Sequence, residues 1–350
     1  MTSMWKSRRA HAAIGIAAAA VAISACGSVG TPNQSSSAKS GSAGATGKAA
    51  ASKHYHFELI TKSNASPYWL AVKAGADAAA KKLGDTVTFE APASGTDLST
   101  QLSMFNNAVT THVDGIILAA QDPQPLSGPV ANAIKSGIPV VTVDSGVSPQ
   151  TSDSFIATSN IGAAAQVCAY GAKLAGGKGE YGIIDFNQTS STGRERPTGC
   201  KQGMAKYPGF KFVGMQLGNN IIATGKAETE AMLQSHPGIN LMFGANDRSA
   251  LGVAEGVEAM HKTKQVTVVG FDADLGEVPL IKNGVIKGSL LQSPYTMGYQ
   301  AVQELVAIKA GKSVPKQVNT KTFIVTPQNV SSATAQQFLA QYGAAQGATP

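Results

Sequence analysis

From Tyr55 onward, short continuous apolar runs alternate with longer segments in which small and apolar residues recur at helical spacing. Runs such as DGIILAA and IPVVTVD lack the polar alternation that marks a strand with one face in water. Continuous apolar strands that are joined by helices specify a parallel sheet covered on both faces. The alternation restarts after IPVVTVD with a similar number of strands. The sequence therefore predicts an α/β protein with two lobes, each built on its own parallel sheet.

The predicted elements fall into two sets. The strands of the first set are HFELITK, TVTFEA, DGIILAA and IPVVTVD, and those of the second are SFIATSN, YGIIDF, KFVGMQL, NLMFGA, VTVVGFD and IKGSLLQ. The helices are predicted at 67–83, 96–111, 126–136, 161–174, 196–207, 224–235 and 249–260, with a short helix before IKGSLLQ. We expect a helix over 296–310 and the strand TKTFIVT to complete sheets already begun. Residues 331–350 predict a short helix followed by a frayed C-terminal tail.

The N-terminal part of the chain differs in composition from the rest. A basic start and the apolar run AAIGIAAAAVAISA, too short to span a bilayer as a permanent helix, predict a signal peptide over residues 1–25. ISAC resembles a bacterial lipobox, in which Cys26 would receive a lipid, and ordinary secretion with a stray thiol is the alternative. Residues 26–53 are rich in Ser, Gly and Ala, which predicts a lipid-anchored flexible tether. We therefore expect an extracytoplasmic protein on the outer face of the cell membrane or in a periplasm.

Charge and motifs exclude several classes of function. The formal net charge of +7 falls to +4 when the three basic residues of the predicted signal peptide are removed. The other basic residues are scattered singly rather than clustered with aromatic residues, so we expect no nucleic-acid partner. The chain has neither a Gly-x-Ser-x-Gly elbow nor a Gly-x-x-x-x-Gly-Lys-Ser loop. His54 and His56 could share a strand face, but the other histidines lack ligand spacing, so we predict no metal, no cofactor and no catalytic residue.

Three cysteines occur in the chain. If Cys26 carries the lipid, Cys168 and Cys200 remain as an even pair. In an oxidising compartment this pair could form a disulfide, and two buried free thiols are the alternative.

Polar and aromatic side chains follow strands of both halves of the chain. In open parallel sheets, ligands bind beyond the carboxyl ends of the strands. The residues at those ends are Lys62, Ser66, Tyr68, Trp69, Asp144, Arg194, Asn246, Asp247, Asp272 and Gln292. Carboxylates, guanidinium and amides each make more than one hydrogen bond, so they can hold vicinal hydroxyls, and aromatic faces suit the C–H faces of a sugar ring. The sequence therefore predicts a polyhydroxylated small molecule as the ligand.

Several of these residues have a purely structural alternative. Tyr68 and Trp69 could belong to the core at the start of a helix. Asp144 could cap a helix, and Arg194 could pair with a carboxylate on the surface. Because such residues recur at the same end of the sheets in both halves, we favour a site.

Five segments resemble the type I periplasmic sugar-binding proteins of the ribose- and galactose-binding kind, which deliver substrate to ABC importers. They are SPYW at 66–69, IPVVTVDS at 138–145, TGRER at 192–196, HPGINLMFGANDRSALG at 236–252 and VVGFDAD at 268–274. The similarity extends from His54 to Thr326. It implies two doubly wound parallel-sheet lobes that are joined by a three-strand hinge near Ile156, Ser293 and Val318. The implied N-terminal lobe is 54–156 plus 293–318, and the implied C-terminal lobe is 157–292 plus 319–330.

The resemblance also implies roles for individual side chains. Tyr68 and Trp69 would provide aromatic faces for the sugar ring, and Phe271 would contribute ring packing. The residues that would bond sugar hydroxyls are Asp144, Arg194, Asn246, Asp272 and Gln292. Ser66 and Asn220 would line the pocket.

Three positions depart from the ribose-binding pattern. Lys62 stands where ribose binders carry a small polar residue, Ser145 stands where they carry an arginine, and Asn220 replaces an aromatic residue. A lysine combined with VDS also resembles the branch that includes rhamnose and quorum-signal receptors. These departures favour a different monosaccharide or a sugar alcohol over ribose.

The resemblance implies three partners, which are the sugar or polyol, the permease of an ABC transporter and the membrane that holds the N-terminal lipid. We expect a monomer. A ligand-sensing receptor that signals without transport is the alternative, and genes for a permease and an ATPase beside this one would favour import. A LacI-type regulator would need an N-terminal helix-turn-helix where this chain has its predicted signal peptide.

Overall fold

A computed structural model of the protein describes residues 53–64 and 66–343. The predicted signal peptide, the lipidation of Cys26 and the tether before Lys53 lie outside the described residues. Across the part that is described, no helix combines the length and the apolar character needed to span a bilayer.

The described residues alternate between strands and helices along almost their whole length. In chain order the strands are β1 (His56–Ile60), β2 (Thr86–Glu90), β3 (Gly115–Leu118), β4 (Val140–Val143), β5 (Ser154–Ala157), β6 (Lys178–Asp185), β7 (Gly209–Leu217), β8 (Ile239–Gly244), β9 (Thr267–Asp272), β10 (Ile286–Leu291), β11 (Gln317–Asn319) and β12 (Phe323–Val325). The helices are α1 (Pro67–Leu83), α2 (Leu98–Thr110), α3 (Pro123–Lys135), α4 (Asn160–Leu174), α5 (Ser191–Met204), α6 (Ile222–Ser235), α7 (Asp247–Ala259), α8 (Glu277–Lys282), α9 (Pro294–Lys309) and α10 (Ala333–Gly343).

The strands form two six-stranded sheets, each of which is the centre of one lobe. The first sheet has the order β11-β5-β4-β3-β1-β2, and all its neighbouring strands are parallel. The second has the order β12-β10-β9-β8-β6-β7 and is parallel except for the β10–β12 pair. Central strands such as β3 and β4 are buried along their whole length, as expected for a sheet covered on both faces. The predicted fold class is confirmed.

The chain passes between the two sheets at three places. Residues 158–159 lead from β5 to α4, residues 292–293 lead from β10 to α9, and residues 320–322 lead from β11 to β12. The strand β11 was not predicted as a separate element, since only three residues of low apolar content form it. The last helix, α10, lies within the segment for which a short helix was predicted.

Close helix packing consolidates the first lobe. A Cβ atom at Gly75 of α1 would lie 1.9 Å from the carbonyl oxygen of Tyr295, and one at Gly298 of α9 would lie 1.9 Å from that of Val72. The two backbones therefore approach each other at a distance that only glycine permits.

A covalent link consolidates the second lobe. Cys168 of α4 and Cys200 of α5 form a disulfide, with their Cα atoms 5.2 Å apart. Both residues are fully buried in the apolar core of this lobe.

Candidate functional site

A cleft with about 530 Å³ of empty space, which includes solvent at its opening, lies between the two lobes, beyond the carboxyl ends of strands from both sheets. Its lining is Lys62, Ser63, Ser66, Tyr68, Trp69, Gly95, Asp144, Phe186, Asn187, Thr192, Arg196, Asn220, Asn246, Asp247, Asp272 and Gln292. The lining mixes charged, amide and aromatic groups in the way of a selective pocket.

Asp144 is the centre of the first lobe's side of the cleft. It follows β4 with a positive φ of 59°, and the Ser145 amide donates to the Val143 carbonyl across it, which forms a tight turn at the edge of the cleft. The carboxylate accepts hydrogen bonds from Lys62 Nζ at 3.0 Å, from Tyr68 Oη at 3.0 Å and from Ser145 Oγ at 2.8 Å. Four polar groups of one lobe are thus fixed relative to each other before any ligand is considered.

Lys62 also reaches across the cleft. Its ammonium donates to Thr192 Oγ1 of the second lobe at 3.2 Å and lies 5.6 Å from the centre of the Trp69 ring. The Trp69 ring meets the Tyr68 ring edge to face at 4.9 Å. An apolar face and a cation are therefore presented side by side at the start of α1.

Arg196 of α5 is the principal cation of the second lobe's side. Its guanidinium lies 3.9 Å from the centre of the Phe271 ring and donates to the Ala245 carbonyl at 2.9 Å and to Asn160 Oδ1 at 3.0 Å. It lies 3.5 Å from the carboxylate of Asp272 and 4.0 Å from that of Asp144. The side chain is fixed by its neighbours, so its position does not depend on the ligand.

Asp272 ends β9 with a positive φ of 93°. Its carboxylate accepts from the Asp247 amide at 3.1 Å and from Gln292 Nε2. The Oε1 atom of Gln292 is buried and accepts no hydrogen bond from a described residue. An unpaired acceptor in the cleft lining is a place where a ligand hydroxyl can donate.

Two amides complete the rim on the second lobe. Asn246 caps α7, since its Oδ1 accepts from the Ser249 amide at 3.0 Å, and its Nδ2 donates to Asn220 Oδ1 at 2.8 Å. A Cβ atom at Gly95 of the first lobe would lie 3.7 Å from Asn220 Nδ2, so the two lobes approach each other closely here.

Burial and charge shift the acidity of the cleft carboxyls in opposite directions. Burial alone would raise the pKa of Asp144, but the Lys62 and Arg196 cations outweigh it and hold that pKa below its usual value. Burial raises the pKa of Asp272, although Arg196 opposes it. Burial and the neighbouring Asp272 raise the pKa of Asp247 to about 7. Within residues 53–64 and 66–343, no group of three His, Cys, Asp or Glu side chains could hold a metal ion.

The structure brings most of the sequence-predicted residues together. Those that line the cleft are Lys62, Ser66, Tyr68, Trp69, Asp144, Asn220, Asn246, Asp247, Asp272 and Gln292. Ser145 and Phe271 lie behind the lining and hold Asp144 and Arg196 respectively. Of the structural alternatives, Tyr68 and Trp69 are indeed buried, yet both also face the cleft.

The prediction that Arg194 lies in the ligand site is wrong. It is exposed, its guanidinium donates to the carbonyls of Gln188 and Thr189, and it lies on a separate groove beside Glu195 rather than in the cleft. The arginine in the cleft is Arg196, which is 3% exposed.

Arg194 was predicted in place of Arg196 because α5 starts five residues before the predicted start at residue 196. A start at residue 196 would put Pro197 in the first turn, but it lies inside the helix, where its missing N–H leaves the Gly193 carbonyl without the usual donor. Gln188 Nε2 donates to that carbonyl at 3.0 Å instead. With the helix starting at Ser191, Thr192 and Arg196 are four residues apart and share one face, while Arg194 points away.

Sequence reasoning missed five further lining residues and Arg196. Thr192 and Arg196 were both within the TGRER segment, so a correct helix start would have found them. Ser63, Gly95, Phe186 and Asn187 lie in strand-to-helix connections, where side-chain direction does not follow from a period.

A family model described as a periplasmic binding protein domain matches residues 57–313. The chain belongs to the periplasmic binding protein family.

Relatives in this family bind sugars. The D-ribose/D-allose-binding protein of Pseudomonas aeruginosa is 31% identical, over 73% of this chain and 82% of its own length. The D-allose-binding periplasmic protein of Escherichia coli is 28% identical, over 74% of this chain and 86% of its own length. An ABC transporter solute binding protein from Agrobacterium vitis, solved with bound alpha-D-tagatopyranose, has a TM-score of 0.78 at 26% identity and covers 81% of this chain and 99% of its own. The predicted resemblance to type I periplasmic sugar-binding proteins is confirmed.

Proposed function

We propose that this protein binds a monosaccharide or sugar alcohol in the interlobe cleft and delivers it to an ABC importer, without chemistry on the ligand. The residues that would contact the ligand are Lys62, Ser66, Tyr68, Trp69, Asp144, Thr192, Arg196, Asn220, Asn246, Asp272 and Gln292. Arg196 takes the role that the sequence assigned to Arg194, and Ser145 and Phe271 support ligand-binding side chains from behind.

The observation that carries this proposal is the internal charge balance of a buried polar cleft. Lys62 pairs with Asp144 at 3.0 Å, and Arg196 lies 3.5 Å from Asp272, so these two cations and two carboxylates compensate each other within the protein. Burial and Asp272 raise the pKa of the third carboxyl of the lining, Asp247, to about 7, which favours its neutral form below that pH. A charged ligand would leave one unit of charge uncompensated in a buried site, which is costly. An uncharged molecule with many hydroxyls can bond to all four groups at once, because each has unused donors or acceptors.

The relatives support the same ligand class. Their names specify D-ribose, D-allose and a ketohexose, which are all neutral monosaccharides. Because the solved relative from Agrobacterium vitis is a component of an ABC transporter, import is favoured over signalling without transport.

Membrane attachment is part of the proposal. The apolar N-terminal run and the ISAC segment support cleavage before Cys26, lipidation of that cysteine and a tether up to Lys53. We propose that the protein is therefore held on the outer face of the membrane as a monomer. The two lobes would close on the ligand by bending at residues 158–159, 292–293 and 320–322, which is a hinge motion.

Thermal unfolding of the purified protein in the presence of neutral and charged sugars tests this function. D-Allose, D-ribose, D-arabinose, D-tagatose and a polyol such as D-ribitol form the test panel, and D-glucuronate is the charged control. A ligand at a hundred times its Kd stabilises the native state by about 2.7 kcal/mol, which raises the unfolding temperature by several degrees. We expect at least one neutral compound to produce this shift and D-glucuronate to produce none.

Two matched variants locate the binding. The shift should disappear in Asp144→Ala and persist in Arg194→Ala, whose side chain lies outside the cleft. A panel with no shift in the parent protein, or a shift that survives Asp144→Ala, would contradict the proposed function.

A further inference from the structure

The helix α10 contacts both lobes. It follows β12 of the second sheet, and the Phe338 ring stacks on the Phe323 ring of that strand at 6.0 Å. The same helix packs on α1 and α9 of the first lobe. Its residues Ala335, Leu339 and Tyr342 are buried. It also lies outside residues 57–313, which the family model matches.

Tyr342 connects this helix to the ligand site. The side chain is 1% exposed, and its hydroxyl donates to the backbone carbonyl of Asp272 at 3.0 Å. On the other side, the Tyr342 ring lies 6.5 Å from the ring of Tyr68, whose hydroxyl donates to Asp144. The Tyr342 side chain therefore contacts the backbone of Asp272 and the ring of Tyr68, whose hydroxyl donates to Asp144.

The backbone that Tyr342 holds is strained. Asp272 has a φ of 93° and the next residue, Ala273, has a φ of 46°. Two successive residues with a Cβ atom in this region persist only where the surrounding structure over-determines them. The Tyr342 hydroxyl is one such restraint, because it fixes the carbonyl oxygen of the peptide unit between these two residues.

The direction of the Asp272 carboxylate depends on that conformation. In the left-handed conformation, the Asp272 carboxylate accepts from the Asp247 amide and from Gln292 and lies beside Arg196. A relaxed, extended Asp272 would aim its side chain elsewhere and leave these donors without their acceptor.

We infer that Tyr342 is a positioning residue of the cleft, whose hydroxyl holds the left-handed turn that directs the Asp272 carboxylate at the ligand. The residue does not line the cleft itself and acts through Asp272. This inference rests on the proposed function, because the quantity that it predicts is affinity for a sugar.

Tyr342→Phe removes the hydroxyl and keeps the ring. The matched control is Tyr299→Phe on α9, whose ring stacks on Tyr295 at 6.2 Å, away from the cleft. Titration calorimetry with D-allose, D-ribose and D-arabinose gives the Kd of the parent protein and of both variants. Loss of one hydrogen bond that leaves a buried carbonyl unpaired should weaken binding about tenfold in Tyr342→Phe. The control should change the Kd less than twofold.

A double-variant comparison separates positioning from general stability. If Tyr342 acts through Asp272, Tyr342→Phe should weaken binding by less than twofold when Asp272→Asn is already present, and should keep its full effect when Asn246→Ala is present. Titration at 10 °C keeps the comparison valid if Tyr342→Phe lowers the unfolding temperature.

Two outcomes would overturn the inference. In the first, the parent protein binds a sugar and Tyr342→Phe binds it with the same Kd. In the second, the effect of Tyr342→Phe is as large with Asp272→Asn as without it. If the parent protein binds none of the three sugars and none of the wider panel, the proposed function fails, and the inference fails with it.

Discussion

The Arg196 guanidinium lies 4.0 Å from the carboxylate of Asp144, and the two residues belong to different lobes. Lys62 makes a second approach across the cleft, to Thr192 at 3.2 Å. Groups that would bind the ligand therefore also face each other directly. A sugar must insert its hydroxyls between them, and the number and direction of those hydroxyls determine how many of the groups stay satisfied.

Removal of the Asp144 carboxylate should abolish sugar binding. In Asp144→Ala the Lys62 ammonium, the Tyr68 hydroxyl and the Ser145 hydroxyl lose their common acceptor. Hydrogen bonds to charged groups contribute about 1.5–3 kcal/mol each, so we expect the Kd to rise at least a hundredfold. Calorimetry gives the Kd, and circular dichroism should show an unchanged secondary structure. An unaltered Kd would refute the assignment.

For sugar binding, the planar shape of the Arg196 guanidinium should matter more than its positive charge. Lysine cannot donate simultaneously to Asn160 and Ala245 while stacking on Phe271, as the guanidinium does. We expect Arg196→Lys to weaken sugar binding by about 30-fold or more, given two lost hydrogen bonds. Arg194→Lys is the matched substitution on the exposed face of the same helix and should change the Kd less than twofold. Equal effects of the two substitutions would contradict the assignment of Arg196, rather than Arg194, to the cleft.

Asp185 should make stability depend on pH. Burial raises the pKa of this fully buried carboxyl to about 7, far above its ordinary value. The folded state therefore binds the proton more tightly than the unfolded state, so the stabilisation is complete at low pH and is lost as the pH rises towards 7. Between pH 5 and 7 the parent protein should lose up to about 1.4 kcal/mol per pH unit relative to Asp185→Asn. Urea unfolding of both proteins at each pH measures the difference, and parallel profiles would rule out this role.

The disulfide between Cys168 and Cys200 should stabilise the fold through the unfolded state. The two residues are 32 positions apart in sequence, and closing a loop of that length contributes about 3–4 kcal/mol in the chain-entropy model. The double variant Cys168→Ala, Cys200→Ala should show this decrease in the free energy of unfolding. A reducing agent should destabilise the parent protein similarly and leave the double variant unaffected. If reduction changes neither, the link is absent in the protein as purified.

The fold could be predicted because the same alternation of apolar strands and helices repeats along the sequence. Fully apolar central strands such as β3 and β4 and the helix α1 were placed within two residues of their observed bounds, since continuous apolar runs and helical spacing differ clearly there. Short edge strands carry no such signal, and β11, with residues Gln317–Asn319, was not separated from its surroundings.

Within the site, the limits of prediction come from helix starts. The residues that directly follow β4 and β9, Asp144 and Asp272, were found because strand ends are easily read. Arg196 was missed because α5 begins at Ser191, five residues before the predicted start, and a side-chain donor from Gln188 compensates for the proline inside that helix. No local pattern reports a contact between residues that lie 70 positions apart, such as the one from Tyr342 to Asp272.

The strands that complete the two sheets, β11 and β12, are neighbours in sequence and come last among the described strands. A chain that stops before Gln317 would leave the backbone of β5 and of β10 without a partner on one side, and unpaired strand edges invite association with other chains. Neither lobe can therefore be cut out as a self-sufficient piece. During synthesis, neither sheet can be completed until residues 317–325 have emerged, so the two sheets gain their last strands almost together.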